Sequence, residues 1–178
     1  MVVPYTRVDD PKKLQRLMAA VLMIAADVDL PELLRHLVEE ARFLVDARYG
    51  ALGVLNPDRT ALEEFITVGL SDAQVAAIGP RPIGRGVLGL LITDPRPLRL
   101  ERLGDHPESY GFPPEHPAMT SFLGVPVRVR DDVYGNLYLT EKMGADSFSD
   151  EDEALAEALA LAAGVAIQNA RLHDQVRV

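Results

Sequence analysis

Ser121-Phe122-Leu123-Gly124-Val125-Pro126-Val127-Arg128-Val129-Arg130-Asp131-Asp132-Val133-Tyr134-Gly135-Asn136-Leu137-Tyr138-Leu139-Thr140-Glu141-Lys142 is the stretch on which the fold turns. Ser121 to Val129 reads as a buried strand, Arg130-Asp131-Asp132 as a turn, and Val133 to Lys142 as a central strand returning beside it. Upstream the same grammar recurs. Tyr49 to Leu55 reads as a strand, Asn56-Pro57-Asp58-Arg59 as a turn, and Ala61 to Val68 as the return, closing an antiparallel hairpin. Between the hairpins the sequence predicts a short helix from Ser71-Asp72 to Ile78, stopped by Gly79-Pro80, and another over 86–93. Pro95-Arg96-Pro97-Leu98-Arg99-Leu100 has too many prolines for a central strand and is expected at a sheet edge. The stretch from Gly104 to Met119 is an irregular loop rich in Pro and Gly, and loops of that length in compact domains commonly serve function.

Helices are expected at both ends. Pro11 to Asp27 carries Leu14, Leu17, Val21, Ile24 and Val28 at alternating spacings of three and four, a seam suited to a partner helix. Asp29-Leu30-Pro31-Glu32 starts a second helix running to about Asp46, its apolar face built from Leu33, Leu34, Leu37, Val38, Ala41, Leu44 and Val45. Ser149 caps the last helix, and Asp150-Glu151-Asp152-Glu153 crowd its first turn, where carboxylates meet the positive end of the dipole. That helix runs to about Asp174 with Ala158, Ala162, Ala163, Ala166 and Ala170 on a close-packing face. Antiparallel hairpins with helices gathered at the termini make an α+β fold, not a doubly wound nucleotide fold. We divide the chain into an N-terminal helical extension, 1–28, and one domain, 29–178.

Composition narrows the function. A net charge of −9, with no clustering of Lys and Arg, argues against a nucleic-acid surface. The chain has no cysteine, which removes thiolate catalysis, iron–sulfur clusters and Cys-based zinc sites together. No apolar run approaches membrane-spanning length and the N-terminus lacks a signal-peptide core, so a soluble, cytoplasmic protein is expected.

Gly84-Arg85-Gly86-Val87-Leu88-Gly89 matches the dinucleotide fingerprint in letters only, since Pro80-Arg81-Pro82-Ile83 precedes it instead of an apolar strand. No nucleophile stands beside a base, and no catalytic pair of carboxylates can be picked out. Of the four histidines, His36 lies on a polar helix side, His173 near a helix end and His106 in the long loop. His116, in Gly111-Phe112-Pro113-Pro114-Glu115-His116-Pro117-Ala118-Met119, stands just before a core strand. Its flanking prolines fix the backbone and could hold the imidazole at a set angle, as an axial metal ligand requires.

Five stretches carry a family resemblance. They are Leu44-Val45-Asp46-Ala47-Arg48-Tyr49-Gly50-Ala51-Leu52-Gly53-Val54, the glycine run from Gly84 to Gly89, His116-Pro117-Ala118-Met119-Thr120-Ser121-Phe122-Leu123-Gly124-Val125-Pro126-Val127, Gly135 to Lys142, and Phe148-Ser149-Asp150-Glu151-Asp152-Glu153. Residues 29–174 resemble a GAF domain, and in particular the haem-binding first GAF domain of mycobacterial dormancy-survival oxygen and redox sensor histidine kinases. The resemblance implies a haem b cofactor whose proximal iron ligand falls on His116. The distal tyrosine that hydrogen-bonds a bound gas falls on Tyr138, and an aromatic near the cofactor on Phe65. Ala118 and Thr120-Ser121 depart from the pattern, which more often carries Pro and Arg-Thr there. Lys142, Phe148 and Asp152-Glu153 also resemble the cyclic-nucleotide GAF signature, in which the Lys–Asp pair fastens a helix to the sheet; Glu141 stands at that signature's Asn. The resemblance implies a sensor for O2, NO, CO or redox state, without catalysis of its own. It would signal to a histidine kinase output region, through terminal helices that pair in a homodimer. The alternative is a haem-free GAF module for dimerisation or a small ligand. An enzyme of the methionine sulfoxide reductase kind, built on the same fold, is disfavoured because its chemistry needs cysteine.

Overall fold

The computed structural model describes residues 9–25, 29–74, 94–102 and 120–177. The glycine run, the end of the short helix expected to reach Ile78, the one expected over 86–93, the whole loop from Gly104 to Met119, and Asp27 and Val28 lie outside the described residues.

Five strands form one antiparallel sheet: β1 (Ala47–Leu55), β2 (Leu62–Val68), β3 (Leu98–Leu100), β4 (Phe122–Val129) and β5 (Asp132–Lys142), in the order β2-β1-β5-β4-β3. Both expected hairpins form, β5 is central, and the proline-preceded β3 is an edge strand. The β1–β2 turn is tied by Asn56, whose side chain accepts from Thr60 N and donates to Thr60 Oγ1, both at 2.9 Å. This is the local hydrogen bonding that makes Asn a turn former.

Among the described residues three long helices flank the strands in sequence: α1 (Pro11–Leu22), α2 (Leu30–Leu44) and α3 (Asp150–Val176). α2 and α3 cover one face of the sheet. Every residue expected on the apolar face of α2 is buried. From α3 come Leu155, Leu159, Ala162, Ala163, Ala166 and Ile167, packed with Leu52, Val54, Leu123, Val125, Leu137 and Leu139 of the strands. The small residues of α3 let it approach closely. A Cβ on Gly164 would stand 3.1 Å from Val129 Cγ2 and 3.3 Å from the Arg128 backbone. Among the described residues no helix is long and apolar enough to cross a membrane.

α1 departs from expectation. The α-helix ends at Leu22 instead of Asp27 and tightens into a 3-10 turn, Met23–Ala25, a common closure for a last helical turn. Its seam divides as well. Ala20 is buried and Leu17, Met23 and Ile24 lean on the domain's own core, whereas Leu14, Met18, Val21 and Leu22 are exposed. Arg16 holds α1 to α2 through two bonds to Glu40, at 2.8 and 2.9 Å, with its guanidinium over the Phe43 ring.

The start of α3 is built as the sequence suggests, and more tightly. Ser149 and Asp152 cap each other reciprocally: Asp152 N donates to Ser149 Oγ and Ser149 N to Asp152 Oδ2. Asp152 is therefore more than one of four dipole-facing acids. Its buried carboxylate also pairs with Lys142 Nζ of β5 at 3.0 Å, and the same ammonium donates to the carbonyl of Val45 at 2.9 Å. One cation thus joins the central strand, the end of α2 and the start of α3, the fastening role that the family signature implies for this pair.

Candidate functional site

The register of the sheet defines its second face. Directly paired residues of antiparallel strands share a face. One row across the sheet therefore reads Phe65, Gly53, Asn136 and Pro126. The next reads Ala51, Tyr138, Gly124 and Leu98, and a third Tyr49, Thr140, Phe122 and Leu100. This face points away from α2 and α3. Phe122 and Tyr138 form its buried centre, their ring centroids 6.2 Å apart, with Ala51, Phe65, Leu98 and Leu100 packed around them.

Two of the sequence-derived candidates meet here. Tyr138 is buried and Phe65 half-buried, one strand apart from each other across β1. Tyr138 is flanked by Ala51 on one side and Gly124 on the other. Its directly paired neighbours are therefore small, and the larger side chains packed on it are Phe122, Phe65, Leu98 and Leu100. Burial holds the hydroxyl's pKa well above the ordinary tyrosine value, with the nearby Asn136 amide offsetting a little of that rise. The group is accordingly a neutral O–H, able to donate, across the whole physiological range. His116, the third candidate, lies outside the described residues, as does His106.

Asn136 is the residue that sequence reading missed. It is fully buried, and neither its Nδ2 nor its Oδ1 has a hydrogen-bond partner. The only signal in the sequence is an Asn, poor in β-propensity, inside a central strand.

The departure at Thr120-Ser121 also has a structural counterpart. Thr120, the first described residue after the long loop, donates from both its N and its Oγ1 to Glu141 Oε1, the latter at 2.8 Å. Ser121 O accepts from Glu141 N at 3.0 Å, and Ser121 Oγ from Lys142 N at 2.7 Å. Glu141 adopts φ of 61°, a left-handed conformation uncommon outside Gly and Asn. The start of β4 is thereby clasped to the same Lys142 that grips Asp152. Among the described residues no three His, Asp or Glu side chains converge on a metal position.

The GAF domain family profile matches residues 27–168. The chain belongs to the GAF domain family. Solved structures agree on the fold. A GAF domain from a phosphoenolpyruvate-protein phosphotransferase of Coxiella burnetii superposes with a TM-score of 0.79 at 23% identity, covering 92% of this chain and 96% of that one. Free methionine-R-sulfoxide reductase from Neisseria meningitidis, solved with its substrate, gives 0.68 at 16% identity, over 97% and 99% of the two chains. The second GAF domain of DevS from Mycobacterium smegmatis gives 0.61 at 25% identity, over 83% of this chain and 99% of that one. The same fold thus carries a free methionine-R-sulfoxide reductase and a domain of a phosphotransferase, so what this GAF domain does must be argued from its site.

Proposed function

We propose that this GAF domain is a haem b-binding sensor module for a diatomic gas (O2, NO or CO) or for redox state. The observation that carries the reading is Tyr138: one buried, neutral phenol on an otherwise largely apolar sheet face, with Ala51 and Gly124 beside it. The described residues suit a flat, apolar macrocycle, since Phe65, Phe122, Leu98 and Leu100 offer hydrocarbon surface around the phenol. The orphaned Asn136 amide is a further sign that this face receives something polar. His116 would hold the iron through its imidazole. Haem iron, when bound, supplies an open coordination position at which a small gas is taken up. Tyr138 would then donate a hydrogen bond to the outer atom of the gas, which favours the more polarised dioxygen over carbon monoxide. The absence of cysteine supports a role without catalysis of the reductase kind. It also suits a reducing, cytoplasmic setting.

The test begins with an absorption spectrum of the protein expressed with haem supplied, in which a Soret band is expected. Tyr138→Phe keeps the ring and removes one donor, a loss of about 0.5–1.5 kcal/mol. Dioxygen should leave the variant about two- to tenfold faster, and carbon monoxide at nearly its former rate. Equal effects on both gases would make Tyr138 a packing residue and remove the gas-sensing role given to it.

The output of such a module would be a histidine kinase region reached through the terminal helices. Exposed Leu14, Met18 and Val21 on α1, and Leu161, Leu172 and Val176 on α3, favour a homodimer through these helices. The same surface supports the haem-free alternative, a GAF dimerisation or small-ligand module. Sedimentation of the full chain should show a dimer that weakens when the chain starts at Asp29. A monomer in both cases at high micromolar concentration would end the dimer reading.

A further inference from the structure

We propose that Asn136 is a second ligand-facing polar residue, whose amide is kept for what binds this sheet face and not for the fold. A buried amide has two donors and an acceptor to satisfy, and native proteins leave few such groups unpaired. Among the described residues the adjoining strands offer the amide no side-chain partner. Across β1 the partner is Gly53, which has no side chain, and across β4 it is Pro126, whose ring is apolar and whose nitrogen carries no hydrogen. Along β5 the next residue on the same face is Tyr138, whose hydroxyl the amide influences without a hydrogen bond of ordinary geometry. In the other direction Tyr134 is turned to the helix side, where its hydroxyl accepts from Gln168 of α3 at 3.1 Å. Among the described residues the amide's sheet neighbours are thus Gly53, Pro126 and Tyr138, and it is fully buried without a hydrogen-bond partner.

A polar group in that position costs stability in the ligand-free protein and repays it only when a ligand arrives. Deepening the haem reading, on which this second step rests, the amide N–H donates alongside the Tyr138 hydroxyl toward a bound gas. The pair would then separate polarised from apolar diatomics more strongly than one phenol can.

Two variants test this, Asn136→Leu and Asn136→Ala, the second because leucine's extra bulk can strain a packed site. In thermal unfolding of the haem-free chain, relief of an unsatisfied amide should raise the midpoint of the leucine variant by about 2–4 °C. The alanine variant should match wild type or exceed it in spite of the volume removed. In haem-loaded protein both variants should release dioxygen about two- to tenfold faster, with carbon monoxide release changed far less. If both variants unfold several degrees below wild type, the amide serves the fold and the proposal is overturned. It is equally overturned if loaded variants release dioxygen at the wild-type rate. Should the wild type take up no haem, the haem reading fails by itself. The unfolding comparison then decides alone whether the amide is kept for a different ligand.

Discussion

Lys142→Met should destabilise the domain by about 3–5 kcal/mol, the range for removing one member of a buried ion pair. Methionine keeps most of the stem's packing and deletes the ammonium. Asp152 is then left as a carboxylate with a side chain 3% exposed, its remaining bond the one from the Ser149 backbone. The Val45 carbonyl loses its donor at the same stroke. Attraction lost is the smaller part of the expected loss; the larger part is the charge stranded in a low-dielectric site. That distinction yields a sharper expectation. Adding Asp152→Asn to Lys142→Met should recover a good part of the loss, because the stranded charge is gone while the amide oxygen can still serve the Ser149 cap. Urea unfolding of the two single variants and the double variant measures the coupling. A single-variant loss below about 1 kcal/mol would put the pair among ordinary surface ion pairs. It would also remove the fastening role assigned to Lys142.

The fold was legible in the sequence wherever period and punctuation agreed. Alternation bounded by Asn56-Pro57 and Arg130-Asp131 gave both hairpins, and the three-and-four spacing gave the whole buried face of α2. Ser149 was legible as a cap. Its reciprocal bond with Asp152 could be read only by someone willing to accept Asp where Glu or Gln is usual.

What the sequence hid depends on register. By strict alternation Tyr134, Asn136 and Tyr138 share a face, yet the structure sends Tyr134 to α3 and leaves the other two opposite. The register shift at Val127/Arg128 is responsible: an irregularity in the ladder changes the parity of everything beyond it. Likewise nothing in β5 announces that Asn136 will lie between a glycine and a proline contributed by two other strands. Tyr138 was recognisable through its resemblance to a family position. Asn136 becomes conspicuous only when its neighbours are known. Glu141 belongs to the same class, a left-handed residue with no glycine to mark it, held there by Thr120 and Ser121.

His116→Ala should abolish or severely weaken haem retention and leave the fold largely intact. Of the four histidines, two are excluded by position. His36 lies on α2, its Nε2 4.0 Å from Glu40, on the helix-covered side of the sheet. His173 is exposed in the last turn of α3. Neither shares the face that carries Tyr138, so under the haem reading the axial ligand comes from His106 or His116. His116 has the stronger claim, because Pro117 follows it, Pro113-Pro114 precede it, and each proline narrows the backbone around it. An imidazole held in advance loses little freedom on ligation. The decisive measurements are haem content and Soret absorbance per chain for wild type, His116→Ala and His106→Ala, beside circular dichroism to establish folding. The expected pattern is a folded, pale His116 variant whose Soret band returns when free imidazole fills the space, with His106→Ala close to wild type. Imidazole rescue separates loss of a ligand from collapse of the pocket, since a collapsed pocket would not respond. Full haem content in His116→Ala, with loss in His106→Ala instead, would assign the iron to His106 and remove the role given to His116.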